Sequence, residues 1–231
     1  MANAFFSKGE ALSFGWDTVK EHFWHLVVLL IIGFAVEIAP SIVFALFPES
    51  MEENIAITVI EGFISSAVSY FITMGFINIS LKFCGGEKPE IGDLFSCFPL
   101  LLKYLIGTLL YGLIALAGLI LLVVPGVIWI LKFQFYGYLI VDQEMGPIEA
   151  LKRSYAITTD VKLDLFLFAL MLIGINILGL LALLLGLFAT IPLAMIGTAF
   201  IYLRLRDRTA DDNMYSMSPE AAAGGPTSDL N

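Results

Sequence analysis

Residues 165–203 read LFLFALMLIGINILGLLALLLGLFATIPLAMIGTAFIYL, and no Asp, Glu, Lys or Arg occurs between Asp164 and Arg204. A helix that crosses a bilayer needs roughly 20 mostly apolar residues. A run of this length therefore reads as two spans. The turn between them is expected near Ala189–Pro192, because proline interrupts a helix. This gives a fifth span over about Leu163–Leu187 and a sixth ending near Leu205.

Four further runs lie upstream. The third, about Leu100–Val124, is expected to stop at Pro125-Gly126, a dipeptide that starts turns. The fourth follows at once, from Val127 to about Val141. The second covers about Ile55–Phe83, and the first about His22–Phe47 with Pro40 inside it. Composition agrees. Of 231 residues 59% are hydrophobic and 14% charged, with mean hydropathy +0.91. Soluble domains are about 45–50% apolar and about 25% charged. A secreted disulfide scaffold and a disordered chain are excluded. A net charge of -9 also removes the basic footprint that a nucleic-acid partner needs.

Cytoplasmic loops of membrane proteins carry the Lys and Arg excess. With the N-terminus inside, every Lys and Arg except Lys132 falls on an inner segment. The outer turns hold none, and the first, Pro48–Asn54, is acidic through Glu49, Glu52 and Glu53. The bias predicts an even number of spans with both termini cytoplasmic. The first span is too long, and its upstream region too acidic, for a cleaved signal peptide. Cys84 and Cys97 lie on the reducing side, where a disulfide is not expected, and their spacing suits no metal site.

Each pair of spans follows a short amphipathic stretch. Leu12, Trp16, Val19 and Phe23 recur at helical spacing before span one; Ile91, Leu94, Phe95 and Phe98 before span three; Ile148, Leu151 and Tyr155 before span five. Pro147 suits a first helical turn, and Glu149 with Arg153 is a favourable i,i+4 pair. Glu10-Ala11-Leu12 with Trp16 mirrors Glu149-Ala150-Leu151 with Tyr155, and Pro125, Phe133 and Phe135 mirror Pro192, Phe200 and Tyr202. The expected fold is an all-α integral membrane protein of six transmembrane helices in three hairpins, each preceded by a cytoplasmic interfacial amphipathic helix. Residues 1–206 form one membrane domain with repeat units of about 7–83, 89–142 and 147–206. The polar residues 207–231 read as a disordered cytoplasmic tail.

Val124-Pro125-Gly126, an aromatic-rich helix, Val141-Asp142-Gln143-Glu144, Gly146 and Glu149-Ala150-Leu151-Lys152-Arg153-Ser154 form a further pattern. It resembles that of the uncharacterised bacterial and archaeal six-span proteins related to the membrane domain of some glycerophosphodiester phosphodiesterases. The resemblance covers about residues 91–206, and the first hairpin matches in architecture alone. In those enzymes the active site is in a separate soluble domain. The resemblance therefore implies an anchoring or partner-binding membrane module and carries no catalytic residue across.

Ionisable groups at bilayer depth are costly and face protein or water. Glu37, Glu61 and Lys132 fall at similar depth by residue count, with Asn176 at a comparable level. This polar layer reads first as interhelical glue and second as a proton, ion or solute site. His22 and His25 fit an interfacial belt beside Trp24, without the ligand set of a metal centre. The nucleophile elbow, HExxH, Walker A and dinucleotide fingerprints are all missing. Ser154 reads as a surface residue of its amphipathic helix. Asp142, Glu144, Asp160 and Asp164, near the inner interface, are the weak basis of a lipid-acting enzyme.

These features predict a non-enzymatic assembly, anchoring or membrane-organising component with no catalytic, metal or cofactor site. Its partners would be membrane lipids and a protein partner or second copy, met through Glu149, Leu151, Lys152, Arg153 and Tyr155. The alternative is a small-solute or ion transporter or channel built on the Glu37–Glu61–Lys132 layer.

Overall fold

The computed structural model of the chain describes residues 6–46, 55–182 and 186–217. The acidic outer turn with Glu49, Glu52 and Glu53 lies outside these residues, as does the end of the tail. The described elements are helical throughout. They are α1 (Lys8–Phe44), α2 (Ile55–Cys84), two 3₁₀ turns (Ile91–Leu94 and Phe98–Leu100), α3 (Leu101–Leu121), α4 (Val123–Phe133), α5 (Tyr136–Gln143), α6 (Pro147–Ile157), α7 (Lys162–Leu181) and α8 (Leu187–Met217).

Six stretches are long and apolar enough to cross a membrane: Lys8–Phe44, Ile55–Cys84, Ile91–Leu121, Val123–Gln143, Lys162–Leu181 and Leu187–Thr209. Large apolar side chains face outward along them, among them Phe34, Phe63, Ile120 and Leu178 at 65–76% exposure. Water would not tolerate such a surface over a whole bundle, whereas hydrocarbon does. The chain is an all-helical, multi-pass membrane protein.

The turns are set by glycine rather than by proline. Leu122 is extended (φ -168°, ψ 145°) and breaks the chain between α3 and α4. Pro125 then occupies the first turn of α4, where its missing N–H is no loss. A Cβ on Gly118 would lie 2.9 Å from Gly126 Cα, so this pair of glycines lets the two helices fold back on each other. The same device recurs between α7 and α8. A Cβ on Gly186 would lie 2.6 Å from Gly179 Cα. The turn expected at Ala189–Pro192 is therefore misplaced: α8 begins at Leu187 and Pro192 lies inside it. A membrane helix tolerates such a proline because its neighbours re-satisfy the freed backbone.

Other differences concern the segments before the spans. The stretch before span one is continuous with the span but separated from it by a kink at His22 (φ -115°, ψ 23°). The Ser7 hydroxyl caps it by accepting from the Glu10 amide at 3.2 Å. The stretch before span three is no α-helix but the two 3₁₀ turns. Asp93 holds the first of them, accepting from the Glu90 amide at 2.8 Å and from Lys82 at 2.6 Å. Two prolines, Pro89 and Pro99, leave too little chain for α-helical bonds there. Past the last span, α8 continues to Met217, so the first part of the tail expected to be disordered is helical.

Each pre-span segment packs against an even-numbered span. The start of α1 lies on α8, where a Cβ on Gly15 would sit 3.0 Å from the Leu193 carbonyl oxygen. The first 3₁₀ turn lies on α2 so closely that a Cβ on Gly75 would strike the Leu94 backbone. Helix α6 packs on α3, α4 and α5. Residues with matching letters sit in matching surroundings: Ala11 and Ala150 are fully buried, while Trp16 and Tyr155 are 47% and 44% exposed. The Phe135 and Tyr202 rings, which also correspond, touch at 5.9 Å between centroids.

Candidate functional site

The charged residues form a rim. Lys8 pairs with Asp164 at 2.6 Å, Lys82 with Asp93 at 2.6 Å, Arg206 with Asp142 at 2.8 Å and Arg208 with Asp160 at 3.9 Å. Lys103 donates to the Glu144 carbonyl at 2.7 Å. These pairs join the start of α1 to the start of α7, the end of α5 to α8, and the start of α3 to the turn before α6. Contacts of that kind put all these termini at one end of the bundle. The four acids weighed as the basis of a lipid-acting enzyme are thus spread around the rim. Three of them face bases, and Glu144 contributes its carbonyl in a left-handed turn (φ 52°).

Helix α6 is built into this rim by two hydroxyls. Ser154 donates to the Lys132 carbonyl at 2.9 Å and accepts from the Phe135 amide at 3.1 Å. Thr158 donates to the same Lys132 carbonyl at 3.0 Å. Helix α4 ends at Phe133 and α5 starts at Tyr136, so these groups sit at a break in the fourth span. An unpaired backbone amide or carbonyl buried there would cost about 1–3 kcal/mol. Ser154 and Thr158 are both fully buried, which corrects the expectation that Ser154 is a surface residue.

The same packing sets which face of α6 is presented outward. Ala150, Leu151, Ser154 and Ile157 are buried, while Ile148 and Tyr155 are 60% and 44% exposed. Of the expected stripe, only Leu151 therefore faces the core. Glu149 and Lys152 are exposed and Arg153 is half-buried. Glu149 and Arg153 form no ion pair among the described residues. Lys132 Nζ lies 3.8 Å from the centre of the Tyr155 ring, a cation–π contact that carries the side chain outward along α6.

That contact breaks up the expected intramembrane layer. Thr158, which holds the Lys132 backbone, is two residues from Asp160 on the rim, so Lys132 belongs to the charged end. Glu37 instead accepts from Ser69 at 2.9 Å. Ser69 is eight residues along α2 from Glu61, or about 12 Å at 1.5 Å per residue, so Glu37 and Glu61 lie at different depths. Glu61 makes no hydrogen bond or ion pair among the described residues. Asn176 turns back on its own helix, donating to the Leu172 carbonyl at 3.0 Å. The structure does not bring Glu37, Glu61, Lys132 and Asn176 together.

His25 Nε2 lies 2.7 Å from the Pro89 carbonyl and ties α1 to the turn after α2. His22 packs on Phe83 at 5.2 Å between centroids. Among the described residues no group of His, Cys, Asp and Glu has the arrangement of a metal centre. The sequence reading missed a cavity of about 330 Å³ between α2, α3, α5 and α8. Thr73, Tyr104, Tyr111, Gln134, Tyr136 and Tyr138 give it a polar aromatic wall. Its only sequence signal was the density of tyrosines in α3 and α5.

A family model described as Domain of unknown function (DUF7847) matches residues 97–223, more than half of the chain. The chain belongs to this family. The matched region of this DUF7847 protein starts ahead of α3 and holds the α4–α5 break, all of α6 and both rim arginines of α8. The α1–α2 pair lies outside it. No curated protein and no solved structure matches the chain.

Proposed function

We propose that this protein is a non-enzymatic assembly, anchoring or membrane-organising component of the cytoplasmic membrane of a prokaryote. Its six spans run as three hairpins, with both termini and the charged rim on the cytoplasmic side, as the placement of Lys and Arg requires. The observation that carries this reading is α6. It is locked into the rim by buried Ser154 and Thr158, yet it turns Ile148, Lys152 and Tyr155 outward. A helix fixed on one face, with apolar, aromatic and cationic groups on the other, suits headgroups and a protein partner or second copy. The likeness to phosphodiesterase membrane domains supports the same role. The rim acids support no catalytic role, because Asp142, Asp160 and Asp164 are engaged by bases. Transport through a Glu37–Glu61–Lys132 layer has no support in the arrangement of those residues.

The test leaves the buried face of α6 alone. In Lys152→Glu/Tyr155→Ser, complexes extracted in mild detergent should shift to smaller species on native gels while the protein keeps its helical content. Unchanged complexes would refute a role for this face.

A further inference from the structure

We propose that the protein binds a single-chain lipid with a small uncharged head, its chain lying between α2 and α3 and its head in the tyrosine cavity. Beside that cavity runs a groove of about 850 Å³, lined by residues including Val59, Phe63, Leu105, Leu109 and Leu116. It follows α2 from Val59 to Tyr70, about 17 Å at 1.5 Å per residue. Tyr111 lines both the groove and the cavity. The two spaces meet at one side chain and differ in lining: the outer one is mainly aliphatic, with Ser66, Tyr70 and Thr108 along it, while the inner one gathers four tyrosines, Thr73 and Gln134 among apolar neighbours. That division is the division of an amphiphile.

The inner chamber states what head it accepts. The Gln134 carboxamide, with two donors and an acceptor, has no hydrogen-bond partner among the described residues. The Tyr111 hydroxyl reaches the Ile130 carbonyl only at 3.4 Å, beyond the usual O–H···O range, so it is free to turn to a better acceptor. The Tyr104 and Tyr136 rings, 5.7 Å apart and buried, close the chamber behind these groups. No Asp, Glu, Lys, Arg or His lines either space. The cavity extends from Tyr111 to Tyr104, the neighbour of the rim residue Lys103. A charged head inside it would meet no counter-ion on its walls. A hydroxyl, carbonyl or quinone head meets its needs.

The groove also supplies its own test. A Cβ on Gly62 or Gly112 meets nothing within 4 Å, so a larger residue enters the groove rather than the protein. Replacing either glycine also favours the helix. The full chain in detergent is titrated with oleyl alcohol, oleyl sulfate and oleyl trimethylammonium and read by native mass spectrometry. The expected result is one bound alcohol per chain, lost in both Gly62→Leu and Gly112→Leu and weakened in Gln134→Leu. Both charged probes should bind at least about tenfold more weakly, given the cost of burying a charge without a partner. Circular dichroism shows whether each variant is folded. Adducts that are unchanged in both folded glycine variants would overturn the site. Equal binding of a charged probe would overturn the assignment of its head.

Discussion

Ser154 and Lys132 are joined across two helices: the buried hydroxyl of Ser154 donates to the Lys132 carbonyl at 2.9 Å while accepting from the Phe135 amide at 3.1 Å. One side chain thus pairs with two backbone groups at the break in the fourth span. Ser154→Ala keeps the packing and leaves the Phe135 amide unpaired. It should lower stability by about 1–2 kcal/mol, since a buried amide loses its only acceptor. Thr158→Val should do less, because Ser154 still donates to the shared Lys132 carbonyl. Thermal unfolding in detergent checks the order, which reverses if Thr158 holds the break.

Asp142 accepts from the Tyr202 hydroxyl at 2.7 Å and from Arg206 at 2.8 Å, closing α5 onto α8. Asp142→Asn should cost about 1–2 kcal/mol, in the range for a hydrogen bond to a charged group. Arg206→Gln should show coupling to it above about 0.5 kcal/mol in a double-mutant cycle. Additive effects would mean that the pair is screened and contributes nothing.

Two glycines of α2 should respond in opposite directions to one methyl group. At Gly75 an added Cβ strikes the Leu94 backbone, which has no rotamer to escape into, whereas at Gly62 it meets open space. Gly75→Ala should therefore destabilise by about 1–3 kcal/mol through overpacking. Gly62→Ala should be neutral or stabilise by up to about 1 kcal/mol through helix propensity. Thermal scans of the two variants side by side decide this.

The number of spans was legible from sequence because it depends on apolar length alone, and the 39 residues from Leu165 to Leu203 admit no other reading. The turns were not. Pro125 and Pro192 drew the boundaries, yet both lie inside helices, and the reversals rest on Gly118 with Gly126 and Gly179 with Gly186. A close approach of two backbones is a tertiary fact that a single glycine does not announce. Lys132 was misplaced for a similar reason. Counting residues from Pro125 assumes a straight helix, and α4 stops one residue beyond Lys132. Ser154 looked exposed because nothing local shows that a broken helix passes over it. The register of α1 on α2, which sets Glu37 against Ser69 rather than Glu61, depends on Gly33 fitting beneath the Phe76 ring.

That register makes a prediction about the two membrane carboxylates. Glu37→Gln should weaken the contact with Ser69 and lower stability slightly. Glu61→Gln should act independently of it. Sites separated by about 12 Å without a shared partner add within roughly 0.5 kcal/mol. A stability cycle on the two changes measures this, and strong coupling would revive a common site.

The outward face of α6 is tested most directly by photo-crosslinking in intact cells, with a benzophenone amino acid at Lys152 and, as a control, at Leu178. Leu178 is 67% exposed on the side of α7, where a span meets lipid chains. The account predicts a discrete adduct, to one protein partner or a second copy of the chain, from position 152 and none from 178. Equal or absent products at the two positions would contradict it.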